Sequence, residues 1–275
     1  MYKNSTKSEI KYISSEIYYL IRYIAIITMF IDHFGRVLYD TNIIKYSTFM
    51  IFISVGRLAF PLFCYLLVES FYFTQNKIKH LKRIGFLFVI SELPHDIIMT
   101  STPLSLTTKA LTHQNTCSTL FLGFLMLCIN LFLDKNIKGK SACITKLCFK
   151  SSLIFFFSIV SIYLKLDYSY YGVILIFLLN IAKLNKHSIL IRIFAFALFG
   201  VLTFTPVYVL TLIYILSFLC IFEIFSFMHI SKTQKLKSLY ARSLKLITGN
   251  ISKKICSYFY PLHFYLLVII KIILN

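Results

Sequence analysis

An aspartate and a histidine stand side by side, Asp32 and His33, inside the apolar run IAIITMFIDHFGRVLY at 24–39. Placing an aspartate at the centre of a membrane span costs about 2.5–3.5 kcal/mol on insertion scales, so such residues usually face a protein interior or a water-filled cavity. A histidine exchanges protons near neutral pH, which suits it to general-base catalysis or to a proton relay. The pair therefore indicates a functional site inside an apolar segment.

The composition is that of a membrane protein. Of the 275 residues 58% are hydrophobic and only 14% are charged, and the mean hydropathy is +0.79. Soluble domains are about half apolar and carry about a quarter charged residues. Because long apolar stretches recur from residue 17 to residue 274, we predict a single integral-membrane domain over 1–275.

The net charge of +19 comes from Lys and Arg residues concentrated in short loops between apolar runs. Positive loops set membrane topology and attract anionic lipid, so the expected partner is membrane lipid and not nucleic acid. The seven cysteines form no C-x-x-C pair, and several lie inside apolar runs. We interpret them as small apolar packing residues and expect no metal.

The apolar runs predict an all-α bundle of about nine transmembrane spans, with a range of eight to ten. The last two runs before the C-terminal one meet at Phe204-Thr205, directly before Pro206, so this pair can instead form a re-entrant hairpin. The loop at about 230–253 is basic and can hold a short surface helix. The predicted spans are 17–39, 48–73, 82–99, 116–133, 151–166, 168–183, 187–204, 206–229 and 254–274.

The loops between these spans alternate regularly between many and few Lys and Arg residues. Since cytoplasmic loops carry the excess of positive charge, this alternation predicts a cytoplasmic N-terminus and an outer C-terminus. The same topology predicts that polar residues from five or six spans meet at a similar depth in the outer half of the membrane. These residues are Asp32, His33, Arg36, Arg57, Glu92, His95, Asp96, Gln114, Asn115, Asp167, Tyr171 and His263.

Local spacing adds detail to this cluster. Asp32 and Arg36 are four residues apart and can pair on one helix face. Pro94, inside the third span, frees a backbone carbonyl, and such broken helices are tolerated in membranes where they line a cavity. Gly56 and Pro61 bracket GRLAFP in the second span in a similar way.

Several of these residues also have a structural interpretation. Arg57 can be a counter-ion for Glu92 or Asp32. Glu69 is expected to extend towards the cytoplasmic surface, and Asp167 is expected to be a solvated turn residue. Asp32 and His33 point about 100° apart on one helix.

Six segments resemble the TraX family of bacterial inner-membrane proteins, in the order in which the family has them. The first, second and last are the most specific. They are 10–39, which contains IKY at 10–12 and IAIITMFIDHFGRVLY at 24–39, GRLAFPLFCYLLVESFYFTQN at 56–76, RIGFLFVISELPHD at 83–96, QNTCSTLFLG at 114–123, YYGVILIFLL at 170–179 and FYPLHFYLL at 259–267.

The resemblance implies an enzyme of the bacterial inner membrane. The family is associated with N-terminal acetylation of conjugative pilin and is similar to multi-pass acyltransferases that use acyl-CoA. It therefore implies acetyl transfer from acetyl-CoA, as co-substrate, to an amine or hydroxyl of a pilin-like peptide or an envelope glycan.

The chemistry of acyl transfer then suggests roles for the polar residues. A base must deprotonate the acceptor, and hydrogen-bond donors must stabilise an oxyanion. His33 is the expected base or acyl carrier, with Asp32 orienting it; alternatively Asp32 pairs with Arg57 or Arg36 and His33 with Glu92. His263 is the second candidate base. The residues expected to bind substrate or donor are Arg57, Glu92, Asp96, Gln114, Asn115 and Tyr171.

Acetyl-CoA is cytosolic, whereas the predicted cluster lies in the outer half of the membrane. A pantetheine arm that threads a channel from the cytoplasm resolves this, with the basic stretch 77–83 holding the phosphates of the donor. Two other functions remain open: a proton-coupled transporter that uses the same carboxylates and histidines, and a scaffold whose buried charges only pair helices.

Overall fold

The computed structural model describes residues 15–99, 114–137, 142–185, 188–203 and 253–274. Over these ranges the chain forms nine α-helices. They are α1 (Ser15–Asp40), α2 (Tyr46–Gly56), α3 (Ala59–Phe73), α4 (Lys77–Met99), α5 (Thr116–Asn136), α6 (Ala142–Tyr163), α7 (Ser169–Leu184), α8 (Ser188–Leu202) and α9 (Lys253–Leu274). The predicted all-α class is confirmed for this part of the chain.

Within the described ranges, three stretches are long and apolar enough to cross a membrane: Tyr46–Phe73, which takes in α2 and α3, Thr116–Asn136 and Ile144–Tyr163. Ser169–Leu184, Ile189–Leu202 and Tyr258–Leu274 are shorter apolar helices. Helices α1 and α4, with 26 and 23 residues, are similar in length to these stretches, but they carry charged side chains along their length. The protein is thus a helical membrane protein, and the count of about nine spans stays a prediction.

Two predicted spans begin in the wrong place. Helix α4 begins at Lys77 and not at residue 82, so the basic stretch 77–83, most of which was predicted to be a loop, is helical. Helix α6 begins at Ala142 and not at residue 151. The prediction assigned Lys146 and Lys150 to a loop because they are charged. Both lie in α6 and reach back to Asp134 at the end of α5, with Nζ 3.0 Å from its backbone oxygen and 3.1 Å from its Oδ1, respectively. The predicted span 206–229, the hairpin alternative and all but the last residue of the predicted loop lie outside the described residues.

The second predicted span is interrupted between Gly56 and Ala59. Pro61 has no backbone N–H, and its ring would clash with the carbonyl of residue 57 in a continuous helix. The chain therefore turns at Arg57, whose N–H bonds to Ile53, and a new helix begins after Leu58. This break places the side chain of Arg57 at the junction of two helices.

Pro94 has a similar effect within α4. A residue at this position would normally donate its N–H to the carbonyl of Ile90, and proline cannot do so. The freed carbonyl accepts a hydrogen bond from the Tyr265 hydroxyl of α9, at 3.1 Å. The predicted free carbonyl is therefore confirmed, and it joins α4 to α9.

Two hydrophobic clusters form the core. The larger one is centred on α3, α5 and α7 and includes the fully buried Phe60, Phe124 and Ile176. The smaller one joins α1, α4 and α9 and includes Phe264 and Leu267. Helix α1 contributes to both clusters, and its polar residues Asp32 and His33 lie at the level of the smaller one.

Candidate active site

The histidines of α1 and α9 meet inside the bundle. His33 Nδ1 lies 2.9 Å from His263 Nε2, and the two rings are within 10° of parallel. Their side chains are buried, and the ring of Phe264 packs against both. Residues 230 positions apart in the chain thus share one hydrogen bond.

The second nitrogen of His263 is also engaged. Its Nδ1 lies 3.1 Å from the backbone oxygen of Phe259, one helical turn earlier. A carbonyl oxygen only accepts, so we assign the proton of neutral His263 to Nδ1, which leaves Nε2 as the acceptor for His33. His33 then carries its proton on Nδ1, and its Nε2 holds a free lone pair.

Asp32 lies beside this lone pair. Its Oδ2 is 3.7 Å from His33 Nε2, which is too long for a hydrogen bond but close enough for electrostatic interaction. The same oxygen accepts a hydrogen bond from Arg36 Nε at 3.2 Å, which confirms the pair predicted from the four-residue spacing. Asp32 Oδ1 is buried and has no hydrogen-bond partner among the described residues.

A cavity of about 220 Å³ opens beside these groups, and we call it the His33 cavity. Its polar lining includes Asp32, His33, Arg36, Arg57, His95 and Tyr168. These residues come from α1, α4, the α2–α3 junction and the turn before α7. The predicted convergence of polar residues from several helices is confirmed for Asp32, His33, Arg36, Arg57 and His95, and their depth in the membrane stays a prediction.

Gly56 allows α2 to approach α1 closely at this cavity. A Cβ atom at Gly56 would overlap the side chain of Asp32. The next residue, Arg57, is half-buried and donates from Nη1 to the hydroxyl of Tyr168 at 3.4 Å. Tyr168 was not among the predicted site residues. It precedes α7 in a turn, and no local spacing relates it to Arg57.

Tyr168 is held rigidly at the cavity wall. Its ring stacks on that of Phe60, with the centroids 3.6 Å apart and the planes within 2°. Tyr168 lies in the turn between α6 and α7, and burial there raises the pKa of its hydroxyl. The phenol therefore keeps its proton across the physiological range and remains available as a hydrogen-bond donor.

Glu92 and Asn115 form a separate network next to the cavity. Glu92 Oε2 accepts from the Asn115 backbone N–H at 3.2 Å and from its side-chain amide at 2.5 Å. Asn115 also donates to the Phe88 carbonyl and accepts from the Cys117 N–H, which caps α5. The structure thus gives Glu92 a partner other than His33, and Asn115 helps to hold α4 and α5 together.

His95 lines the cavity, although it was predicted only as a member of the polar cluster and not as a catalytic or binding residue. It is buried, packs edge-on against Phe264 and has its Nδ1 3.5 Å from Asp96 Oδ1. Asp96, a predicted binding residue, thus contacts His95, and it is His95 that lines the cavity. The adjacent letters HD in ELPHD were the available signal, since they repeat the pairing of an acid with a histidine seen at 32–33.

The remaining predicted residues, Gln114 and Tyr171, contact the turn between α6 and α7. Gln114 pairs through its backbone with this turn, donating its N–H to the Lys165 oxygen at 3.2 Å. Asp167 is exposed, as predicted, and accepts from Thr116 at 2.6 Å. The Tyr171 hydroxyl donates to the Asp167 carbonyl at 3.4 Å. Of this group, Thr116 and Asp167 line the His33 cavity.

One prediction about a carboxylate is wrong. Glu69 does not extend to the surface: its side chain is 1% exposed and pairs with Lys183 of α7, with Nζ 2.7 Å from Oε2. Lys183 is the last residue of the predicted span 168–183, and the count of positive charges had assigned it to the loop that follows. Because the Lys183 ammonium neutralises its charge in the interior, the Glu69 carboxylate is stable without contact with water.

A second cavity of about 150 Å³ lies further along the same helices, and we call it the Arg22 cavity. Its polar lining includes Tyr18, Arg22, Ser70, His80 and Arg83. His80 is half-buried, with Nε2 3.4 Å from the Ser70 hydroxyl. This cavity carries positive charge and no carboxylate among its lining residues.

The helical membrane fold and its buried histidine pair define an integral-membrane protein with a polar internal site. The family model described as "TraX protein" matches residues 18–271, nearly the whole chain. The chain therefore belongs to the TraX family. No curated protein and no solved structure matches it in the same comparisons.

Proposed function

We propose that this protein is a membrane-embedded acyltransferase of the bacterial inner membrane, with its N-terminus in the cytoplasm. It transfers acetyl from acetyl-CoA to an amine or hydroxyl of a pilin-like peptide or an envelope glycan. Membership of the TraX family supports a role related to conjugative pilin. The arrangement of His33 and His263 supports the reaction type.

The hydrogen-bond chain from Phe259 through His263 to His33 is the observation that carries the proposal. It leaves the Nε2 lone pair of His33 as the available base at the cavity. Both nitrogens of His263 are engaged, so His263 orients His33 and keeps it in the required tautomer. This is a positioning role, and it replaces that of a second base.

The proposed step begins with proton transfer to His33 Nε2. The acceptor N–H or O–H gives up its proton as the N or O atom attacks the thioester carbonyl carbon. The carbon–sulfur bond then breaks, and the departing thiolate takes the proton from His33 Nε2 and leaves as the thiol. Asp32, 3.7 Å from Nε2, stabilises the positive charge that His33 carries in between.

Arg57 and Tyr168 are the proposed donors to the oxyanion. Both line the His33 cavity, and the contact of 3.4 Å between them fixes their relative positions. Arginine donates several N–H groups in a fixed geometry, and Tyr168 keeps its hydroxyl proton. Preorganised donors of this kind typically contribute 10²–10³-fold in rate each, by order of magnitude.

The Arg22 cavity is the proposed entrance for the donor. Arg22 and Arg83 suit the phosphate groups of the donor, because guanidinium groups bind phosphates with two hydrogen bonds. Helix α1 rises about 1.5 Å per residue, so Arg22 and Asp32 are about 15 Å apart along it. A narrow arm can bridge that distance and bring its thioester end to His33.

Labelled acetyl-CoA tests the proposal. Purified protein in proteoliposomes, given pilin-like peptides and envelope glycans as acceptors, should transfer label to one of them. His33→Gln should lower kcat by about 10²–10⁴-fold, as expected on loss of a general base. His187→Gln, at the first residue of the predicted span 187–204 and outside the predicted polar cluster, is the matched control. Transfer that survives His33→Gln unchanged would refute the mechanism.

His263→Gln separates positioning from proton transfer. If His263 only orients His33, the variant should lose less activity than His33→Gln, and adding His263→Gln to His33→Gln should cost little more. Independent roles would instead give effects that multiply.

A proton-coupled transporter is the second candidate. The succession of two polar cavities along α1, α3 and α4 favours it, because a transport path needs compartments on both sides of a barrier. Solute uptake driven by a proton gradient in proteoliposomes, lost in Asp32→Asn and with no acyl transfer, would select this function over the first.

A further inference from the structure

The Arg22 and His33 cavities follow one another along three helices. On α1 the lining passes from Arg22 to Asp32, and on α4 from Arg83 to His95. On α3 it passes in the opposite chain direction, from Ser70 to Phe60. The two cavities are therefore stacked along the bundle and do not lie side by side.

Phe63 is the residue that lines both cavities. It lies on α3 between Phe60, which faces the His33 cavity, and Leu66, which faces the Arg22 cavity. Its side chain packs against both hydrophobic clusters and is only partly buried. An aromatic ring thus stands where the two cavities meet.

The neighbours of Phe63 are closely packed and leave little free space around its ring. Phe60 is 1% exposed and stacked on Tyr168, and Leu66 and Leu67 are buried in the larger cluster. Because these side chains have little free space, the width of the junction depends on the position and size of the Phe63 ring.

We infer that Phe63 sets the upper size of the acyl group that the His33 cavity accepts. This inference rests on the proposed acyl transfer and deepens it. When the thioester reaches His33, the arm of the donor occupies the junction, and the acyl group lies beyond it in the His33 cavity, whose lining includes the Phe63 ring. An acetyl group adds one methyl beyond its carbonyl and needs little room there. Each further methylene must occupy space next to this ring, so Phe63 selects short acyl donors.

Donor preference is the direct test. Initial rates are measured with acetyl-, butyryl- and hexanoyl-CoA for the wild type, Phe63→Ala and the milder Phe63→Leu. One methylene in an apolar pocket changes kcat/KM by about 10–200-fold. The ratio of butyryl to acetyl kcat/KM should therefore rise at least about tenfold in Phe63→Ala and less in Phe63→Leu.

Leu66→Ala is the matched control, since it removes volume from the next turn of α3 but borders the Arg22 cavity alone. It should leave the donor ratio unchanged. An unchanged ratio in both Phe63 variants that still transfer acetyl would overturn the inference, and so would an equal rise in Leu66→Ala.

A labelling experiment separates this inference from the proposed function. Ser70→Cys, in a chain whose seven cysteines are replaced by alanine, places a thiol in the Arg22 cavity. A small membrane-impermeant thiol reagent is added to sealed vesicles from the face on which the His33 cavity opens. Phe63→Ala should speed labelling several-fold, whereas Leu66→Ala should not.

Unchanged labelling together with an unchanged donor ratio overturns the role of Phe63 and leaves acyl transfer intact. Faster labelling with no transfer from any thioester overturns the proposed function and, with it, the selection of acyl groups. The barrier formed by Phe63 would then remain as a property of the transport candidate.

Discussion

Glu69 of α3 and Lys183 of α7 form an ion pair in the interior of the bundle. The Lys183 ammonium lies 2.9 Å and 2.7 Å from the two carboxylate oxygens, and the side chains are 1% and 3% exposed. Beside it the Tyr72 hydroxyl donates to Asn180 at 2.7 Å, again between α3 and α7. Two polar contacts thus fix the relative position of these helices at one level.

Removing one partner of this ion pair should destabilise the protein strongly. Glu69→Leu leaves the Lys183 ammonium without its buried counter-ion, at a cost of about 3–5 kcal/mol in the free energy of unfolding. Thermal unfolding in detergent measures the effect. The double variant Glu69→Leu with Lys183→Met should recover most of the loss, because it buries no charge. A double variant as unstable as the single one would contradict this account.

Gly56→Ala tests the close approach of α2 to α1. The added methyl overlaps the side chain of Asp32, so either α2 or the carboxylate must move. We expect a loss of about 1–3 kcal/mol in unfolding free energy, as for overpacking in a core. Acyl transfer should fall as well, since Asp32 lies beside His33.

Gly85→Ala is the control for this substitution. Its added methyl would meet the ring of Phe121 at 3.1 Å, a side-chain edge that can give way. Gly85 lies inside α4 and gains the full helix propensity of alanine, whereas Gly56 is the last residue of α2 and gains less. Equal Tm values for both would argue against a tight contact at Gly56.

The hydrogen bond from Tyr265 to the carbonyl freed by Pro94 allows a double-mutant cycle. Tyr265→Phe should cost about 0.6 kcal/mol, the average for polar contacts between membrane helices. Pro94→Ala restores an N–H that can bond to the Ile90 carbonyl within α4. In that background Tyr265→Phe should cost nearly nothing. Additive losses in the two unfolding measurements would show that the carbonyl does not couple these residues.

Contacts within one helix were predictable from the sequence. The pair of Asp32 and Arg36 follows from their four-residue spacing, and the carbonyl freed in α4 follows from Pro94. Helix bounds were predictable where the apolar run ends in polar residues, as for α5 and α9. These features depend only on the periodicity of the helix and on the chemistry of proline.

Contacts between helices could not be predicted in the same way. His33 and His263 are 230 residues apart, and Glu69 and Lys183 are 114 apart. Hydropathy places such residues in spans but does not decide which spans are neighbours. Charge counting also fails where a lysine is buried against a carboxylate or reaches back along a helix, as Lys183 and Lys146 do.

Lys271 anchors α9 near its C-terminal end, about two turns beyond His263. Its ammonium lies 2.8 Å from Asp40 Oδ2 of α1 and 3.2 Å and 3.3 Å from the carbonyls of Ile97 and Ile98 in α4. A cation is favourable at these last carbonyls because the C-terminal end of a helix carries partial negative charge.

Lys271→Met should therefore lower the unfolding free energy by about 1–3 kcal/mol, since it leaves a carboxylate and two helix-end carbonyls without their donor. His263 lies two turns earlier on α9, so a shift of this helix should also weaken the contact with His33 and reduce acyl transfer. Lys150→Met is the control. It breaks an exposed pair with Asp134, whose side chains are 30% and 29% exposed, and should cost at most about 1 kcal/mol. If both variants unfold at the same temperature, Lys271 does not anchor α9.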